Sequence, residues 1–275
     1  KNSNLLHRPI GIGIQGLADA FLMLKYPFES DEAKKLNFEI METMYHAALE
    51  ASCELAEDFG TYSTYEGSPM SQGKLQFDMW DGPTELTDRW NWTGLRERIK
   101  THGIRNSLLM ALMPTASTSQ LMGAYECFEP YSQNNGTLSI LNGVFKTVNT
   151  YMIRDLMERG LWTKDIQEKV KAAPHGSLAN IREIPQDVKN LYKTVWEIPQ
   201  KTVIDLAADR GRFVCQSQSM NIHYETPDFG TVATMLMYGW KRGIKTGVYY
   251  LRSQPSQGAI KTAINPELVK EMEAE

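Results

Sequence analysis

Residues 104–114 read IRNSLLMALMP. The apolar run begins just after Gly103 and is stopped by Pro114. A continuous apolar run of this length between two breakers is the pattern of a buried strand in a sheet covered on both faces. Upstream, residues 31–59 form a helix. Ser30 or Asp31 caps its start, Gly60 ends it, and Leu36, Ile40, Met44, Ala47, Ala51 and Leu55 recur at helical spacing on one face. Residues 60–90 are rich in Gly, Ser, Tyr and Pro and read as an irregular surface segment. A short helix covers 92–101.

Downstream, residues 115–123 read as a helix start. A loop runs to about Gly143, with a turn at Asn134, Asn135 and Gly136. Helices are predicted at 148–159, 164–172, 185–210 and 228–243, with an extended segment at 213–224 and a last strand at 246–252. Helices alternate with buried strands, so the class is α/β. The last twenty residues are polar and end in acidic residues, and they read as a tail.

The chain of 275 residues is long enough for one large domain or two ordinary ones. Its net charge of −4 comes without any Lys/Arg cluster, which argues against a nucleic-acid surface. Its apolar runs are too short to cross a bilayer. The three cysteines, Cys53, Cys127 and Cys215, are far apart and odd in number, so no disulfide framework is expected and the cytoplasm is the default compartment. Neither HExxH nor a Cys/His grouping occurs, so no metal site is expected.

Four stretches are candidate sites. Gly11, Gly13 and Gly16 spell GxGxxG, but no strand of adequate length precedes them. A strand-to-helix turn with close backbone packing explains them better than a dinucleotide site would. In MPTASTSQ, Pro114 ends a strand and Thr115, Ser117, Thr118 and Ser119 crowd a helix start. Amides and hydroxyls there suit a phosphate, or simply cap the helix. Met235, Met237, Tyr238 and Trp240 form either an adaptable apolar binding face or plain core. Tyr249 and Tyr250 stand side by side on a strand, where spacing alone sends one ring to each face. Cys53 reads as a small buried hydrophobe, and Cys127 follows the phosphate candidate closely enough to lie near a site.

Taken in order, RPIGIGIQGLADAF, EASCELA, YEGSP, GIRNSLLMALMPTASTSQ, LYKTVWEIPQKTVIDLAADRG, QSQSMNIH and YGWKRGIKTGVYYLR resemble the large subunit of class I ribonucleotide reductase, of the eukaryotic and viral type. The resemblance runs from about residue 8 to about residue 254. It implies the C-terminal half of a ten-stranded α/β barrel over 1–255, with irregular or inserted αβ segments within about 60–100 and 145–200, and a polar tail at 256–275.

The resemblance also implies roles. Pro114, Thr115, Ala116, Ser117 and Thr118 match the segment that binds the substrate's diphosphate. Tyr249 and Tyr250 match adjacent tyrosines that relay a radical from the small subunit to an active-site cysteine. The helix at 228–243 lies where the family receives the small subunit's C-terminal peptide. The partners implied are the N-terminal half of the large subunit, the small subunit, a ribonucleoside diphosphate and, indirectly, thioredoxin or glutaredoxin. A diiron/tyrosyl radical cofactor is expected in the small subunit and nucleotide effectors on the N-terminal half, with none in this chain. The family's Asn-x-Cys-x-Glu motif is not in this sequence, and VKEMEAE lacks the family's tail cysteines. After FEPYS the chain reads QNNGTLSI where the family has an aromatic residue and two arginines. The expected function is therefore ribonucleotide reduction within an assembled enzyme, and the alternative is a non-catalytic remnant acting as an interaction protein.

Overall fold

In the computed structural model, which describes residues 1–140 and 143–254, four extended segments run side by side in chain order. The first, around Gly11–Gly13, pairs with the second: Ile10 N donates to Leu108 O at 3.0 Å and Ala111 N to Ile12 O at 2.9 Å. The second pairs with the third through Gln216 N to Met110 O at 3.1 Å and Ser219 N to Leu112 O at 3.0 Å. The third ends in β3 (Asn221–His223), which pairs with β4 (Tyr250–Arg252). Every one of these pairings is parallel. Among these four segments regular ladder hydrogen bonding is confined to β3 and β4, and the 104–114 run joins its neighbours through isolated bridges at Met110 and Leu112. Its burial is as expected, with Leu109, Met110 and Leu112 almost wholly enclosed.

Helices connect these segments. Between the first and second lie α1's successors in the chain: α1 (Asn2–His7) precedes the first segment, and α2 (Leu17–Met23), α3 (Asp31–Phe59) and α4 (Trp92–His102) follow it. Between the second and third come α5 (Thr118–Met122), the hairpin β1 (Asn135–Ile140) with β2 (Gly143–Val148), α6 (Thr150–Glu158), α7 (Lys164–Ala172), α8 (Gln186–Leu191) and α9 (Gln200–Gly211). The helix α10 (Phe229–Lys241) connects the third to the fourth. Sequential parallel strands with helical crossovers are an α/β barrel arrangement.

The long helix starts where expected, with Ser30 Oγ accepting from Ala33 N at 3.1 Å, and ends at Gly60, φ 75°. Its buried face is rotated from the expected one: Leu36, Ile40 and Met44 of that stripe pack against the core but are only partly buried. Ala33, Asn37, Met41, Tyr45, Leu49, Cys53 and Ala56 face the core, whereas Ala47, Ala51 and Leu55 are exposed. Polar residues explain the shift. Buried Glu42 accepts from Thr87 N, Thr87 Oγ1 and Trp92 Nε1, and buried Asn37 binds Leu206 O and Arg210. An apolar count treats such satisfied polar groups as surface.

Two other expectations are corrected. Residues 134–136 are not a turn: Asn135 and Gly136 open β1, paired antiparallel with β2 from Asn135↔Val148 to Ile140↔Gly143. Asn134 and Asn149 close the hairpin's base, with Asn149 N to Asn134 O at 2.7 Å. The helix expected over 185–210 is broken into α8 and α9, because Pro199 has no N–H to give and disfavours helix at Ile198. The tail at 256–275 lies outside the described residues. A second, smaller core forms from Met152, Leu156, Ile166, Val170, Ile184 and Val188, beside the main one. Salt bridges from Lys25 to Asp155 at 2.9 Å and from Lys193 to Glu29 at 2.5 Å link it to the N-terminal helices.

Candidate functional site

The glycines of GIGIQG line the first extended segment. A Cβ on Gly13 would stand 2.8 Å from the Ala111 carbonyl oxygen, and one on Gly11 would stand 3.2 Å from Ala111 Cβ. Gly16, at φ 81°, turns the chain into α2. Gly11 and Gly13 let two backbones approach, which is the close-packing role expected of them.

Tyr249 and Tyr250 come together: Tyr249 lies in the bend just before β4, off the strand on which alternation would have sent the two rings to opposite faces. Their ring centroids are 4.4 Å apart at an interplanar angle of 62°, and each ring is about half exposed. Tyr249 N donates to Met220 O at 2.7 Å, which seats the pair on the third segment. The Tyr250 hydroxyl beside it holds the Tyr249 phenol above its ordinary pKa. Arg252, on the same strand face as Tyr250, places its guanidinium carbon 5.3 Å from the Tyr250 ring centroid.

Tyr250 walls a cleft of about 750 Å³ alongside β3 and β4. Glu126, Glu129, Asn221, His223 and Arg252 also face it. Burial pushes Glu129 up to about 7, against the pull of the Asn221 N–H, which donates to Oε1 at 3.1 Å, and of Arg210 and Arg252. Burial also raises Glu126 and, helped by Arg252, lowers His223 to about 4. Asn221 Oδ1 and His223 Nδ1 are buried there without a partner among the described residues. Sequence reasoning missed these residues, since Glu129 and Asn221 meet across 92 positions of chain.

The segment Pro114, Thr115, Ala116, Ser117 and Thr118 does not wall this cleft. It emerges at the carboxyl end of the second strand and turns into α5. Thr115 takes a left-handed φ of 55° and is half-buried, while Pro114, Ala116, Ser117 and Thr118 are exposed. Thr115 Oγ1 accepts from Cys127 N at 2.8 Å, which ties the segment to the loop bearing Glu126 and Glu129. Cys127 therefore does lie beside both features. Burial pushes its thiol up to about 12, so it is inert as a nucleophile. Cys53 is wholly buried, as expected.

The Met- and Trp-rich helix divides its residues. Met235 is buried in the core and Tyr238 donates to Asp205 Oδ1 at 2.6 Å, whereas Met237 and Trp240 are exposed, as is Phe229. A groove of about 580 Å³ runs along α10, lined by Lys201, Ile204, Tyr224, Asp228, Met235 and Tyr238 among others. No three or more His, Cys, Asp or Glu side chains among the described residues are grouped to hold a metal ion. None of the described helices is long and apolar enough to cross a membrane.

The model of the ribonucleotide reductase barrel domain matches residues 1–250. The chain belongs to the ribonucleotide reductase barrel-domain family. It is 58% identical over 266 residues to the ribonucleoside-diphosphate reductase large chain of Schizosaccharomyces pombe, covering 97% of this chain and 32% of that one. To the large subunit of Caenorhabditis elegans it is 55% identical over 270 residues, covering 98% and 34%. The chain thus spans about a third of the length of these relatives. The class Id ribonucleotide reductase alpha subunit of Actinobacillus ureae has the same fold at a TM-score of 0.69 and 26% identity, over 92% of this chain and 40% of that one. In this reductase barrel chain the four parallel segments are barrel strands, and the isolated bridges between them are its irregular ladder.

Proposed function

We propose that this chain supplies two parts of a ribonucleoside-diphosphate reductase: a cradle for the substrate's diphosphate at Pro114–Thr118 and a radical relay at Tyr249–Tyr250. The 4.4 Å contact between the two tyrosine rings is the observation that carries the reading. A tyrosine oxidised with loss of its proton strands no net charge, and rings in contact need only a short hop.

The cradle reading rests on position and chemistry. The segment sits where a strand gives way to a helix start, whose first N–H groups have no partner within the helix, and its Ser117 and Thr118 are exposed. The reading requires a small subunit carrying a diiron/tyrosyl radical cofactor and an N-terminal half with the reducing cysteines and nucleotide-effector sites. Thioredoxin or glutaredoxin would restore the reduced state. The groove along α10, with exposed Phe229 and Trp240 close by in the chain, is the place we assign to the small subunit's C-terminal peptide. A cytoplasmic location suits the three free cysteines.

Reconstitution tests the reading. The chain is mixed with the N-terminal half, the small subunit, labelled CDP and dithiothreitol, and deoxycytidine diphosphate is measured. Turnover that is lost with Tyr250→Phe is the expected result. The α10 groove and its exposed aromatic residues favour a second reading, a non-catalytic protein that binds the small subunit. A stable complex with no turnover in the wild-type mixture would decide for it.

A further inference from the structure

The cleft that Tyr250 walls is walled on another side by Tyr125. Tyr125 is half of a second tyrosine pair. Its ring stacks on Tyr131 with centroids 4.1 Å apart and planes 21° from parallel. The Tyr131 hydroxyl donates to Asp19 Oδ1 at 2.6 Å. Asp19 is only 7% exposed, and its other oxygen accepts from Tyr125 N at 2.6 Å. The Tyr125 hydroxyl is held as well: it donates to Ser132 Oγ at 2.9 Å and accepts from Ser132 N at 2.7 Å.

Packing alone does not call for this arrangement. A phenol is hard to oxidise chiefly because its proton must leave with the electron. A short hydrogen bond to a buried carboxylate provides the acceptor in advance, without movement. A parallel stacked ring offers a second π system at contact distance. Burial and Asp19 together raise the Tyr131 phenol's pKa, so before oxidation it keeps its proton.

We propose that Tyr131, with Asp19 as its proton acceptor and Tyr125 as its stacked partner, is a second redox-active tyrosine site that receives an oxidising equivalent from Tyr250 across the shared cleft. The source of the equivalent rests on the relay reading above. One electron passes from Tyr131 to the Tyr250 phenoxyl radical. The Tyr131 phenolic proton moves to Asp19, and a proton from cleft water completes the Tyr250 hydroxyl. The products are Tyr250 phenol, Tyr131 phenoxyl radical, protonated Asp19 and a hydroxide ion that leaves to bulk solvent. The branch leads away from the Tyr249–Tyr250 hop and holds a radical that has stalled there.

The test has two arms, both read by electron paramagnetic resonance. In the first, the full chain is flash-oxidised with a ruthenium polypyridyl photo-oxidant and frozen. The expected spectrum contains a tyrosyl component that Tyr131→Phe removes, with the ring stack retained, and that Asp19→Asn weakens. A spectrum unchanged by Tyr131→Phe would overturn the site. In the second arm, the chain is assembled with its reductase partners. The Tyr131 component is expected to form there and to vanish with Tyr250→Phe. If it persists in that variant, the feed from Tyr250 is wrong. If no radical reaches Tyr250 in the wild-type assembly, the relay reading and the feed both fail, while the first arm still decides whether Tyr131 is redox-active.

Discussion

Cys127 donates its backbone N–H to Thr115 Oγ1 at 2.8 Å, and both residues hold left-handed backbone conformations, φ 42° and 55°. Non-glycine residues in that region cost on the order of 1–3 kcal/mol each and persist only where surroundings impose them. Here the bond joins the turn after a barrel strand to the loop that carries two of the cleft's carboxylates.

Thr115→Val keeps the shape but leaves the Cys127 N–H without its acceptor. A loss of about 1–3 kcal/mol is expected in urea unfolding, with a raised KM for the diphosphate in the reconstituted enzyme. Thr115→Ser keeps the acceptor and is expected to retain both properties. Equal losses in the two variants would separate the bond from the effect.

Cys127 is 1% exposed and its thiol is pushed up to about 12 by burial. Iodoacetamide at pH 8 is therefore expected to leave Cys127 unmodified in the folded chain and to label it after unfolding in urea. Peptide mass mapping reads this directly. Rapid labelling of the native protein would show that the loop opens or that the thiol is activated.

Glu129 and His223 give opposite slopes of stability against pH. The folded Glu129 carboxyl sits at about 7 against an ordinary 4.5, so the fold holds a proton that the unfolded chain releases, and stability falls as pH rises from 4.5 to 7. His223 sits at about 4 against 6.5, so the unfolded chain binds the extra proton, and stability rises from pH 4 to 6.5. Each contributes up to about 3 kcal/mol, and between pH 4.5 and 6.5 they largely offset each other. Glu129→Gln is expected to expose the rising slope in urea midpoints measured across pH 4–7. Midpoints that keep the wild-type profile would remove Glu129 from the pH response.

A Cβ at Gly13 would stand 2.8 Å from the Ala111 carbonyl oxygen, which is backbone and has little freedom to yield. Gly13→Ala is expected to cost about 1–3 kcal/mol by forcing the first two barrel strands apart. Gly67→Ala, with open space around it but φ 82°, serves as the comparison for conformational strain alone. A smaller loss at Gly13 than at Gly67 would contradict the close packing.

The sequence by itself determined several element ends and the family. Ser30, Gly60 and Pro114 mark element ends because capping and the missing proline N–H act within a turn of chain, and the buried run before Pro114 is a barrel strand. The motif series from RPIGIG to GVYYLR carried the reductase barrel, and the tyrosine pair was legible as two residues. Tertiary structure alone decided which face of α3 is buried, since Asn37 and Glu42 find their partners in Leu206, Arg210, Thr87 and Trp92. It also decided that neighbouring Tyr249 and Tyr250 rings touch, that Glu129 meets Asn221, and that Asp19 reaches Tyr131 across 112 positions. Those pairings come from parallel strands joined by helical crossovers, which bring together residues with no local pattern in common. Burial then sets the titration of Glu129 and His223, and burial belongs to the folded chain rather than to any stretch of it.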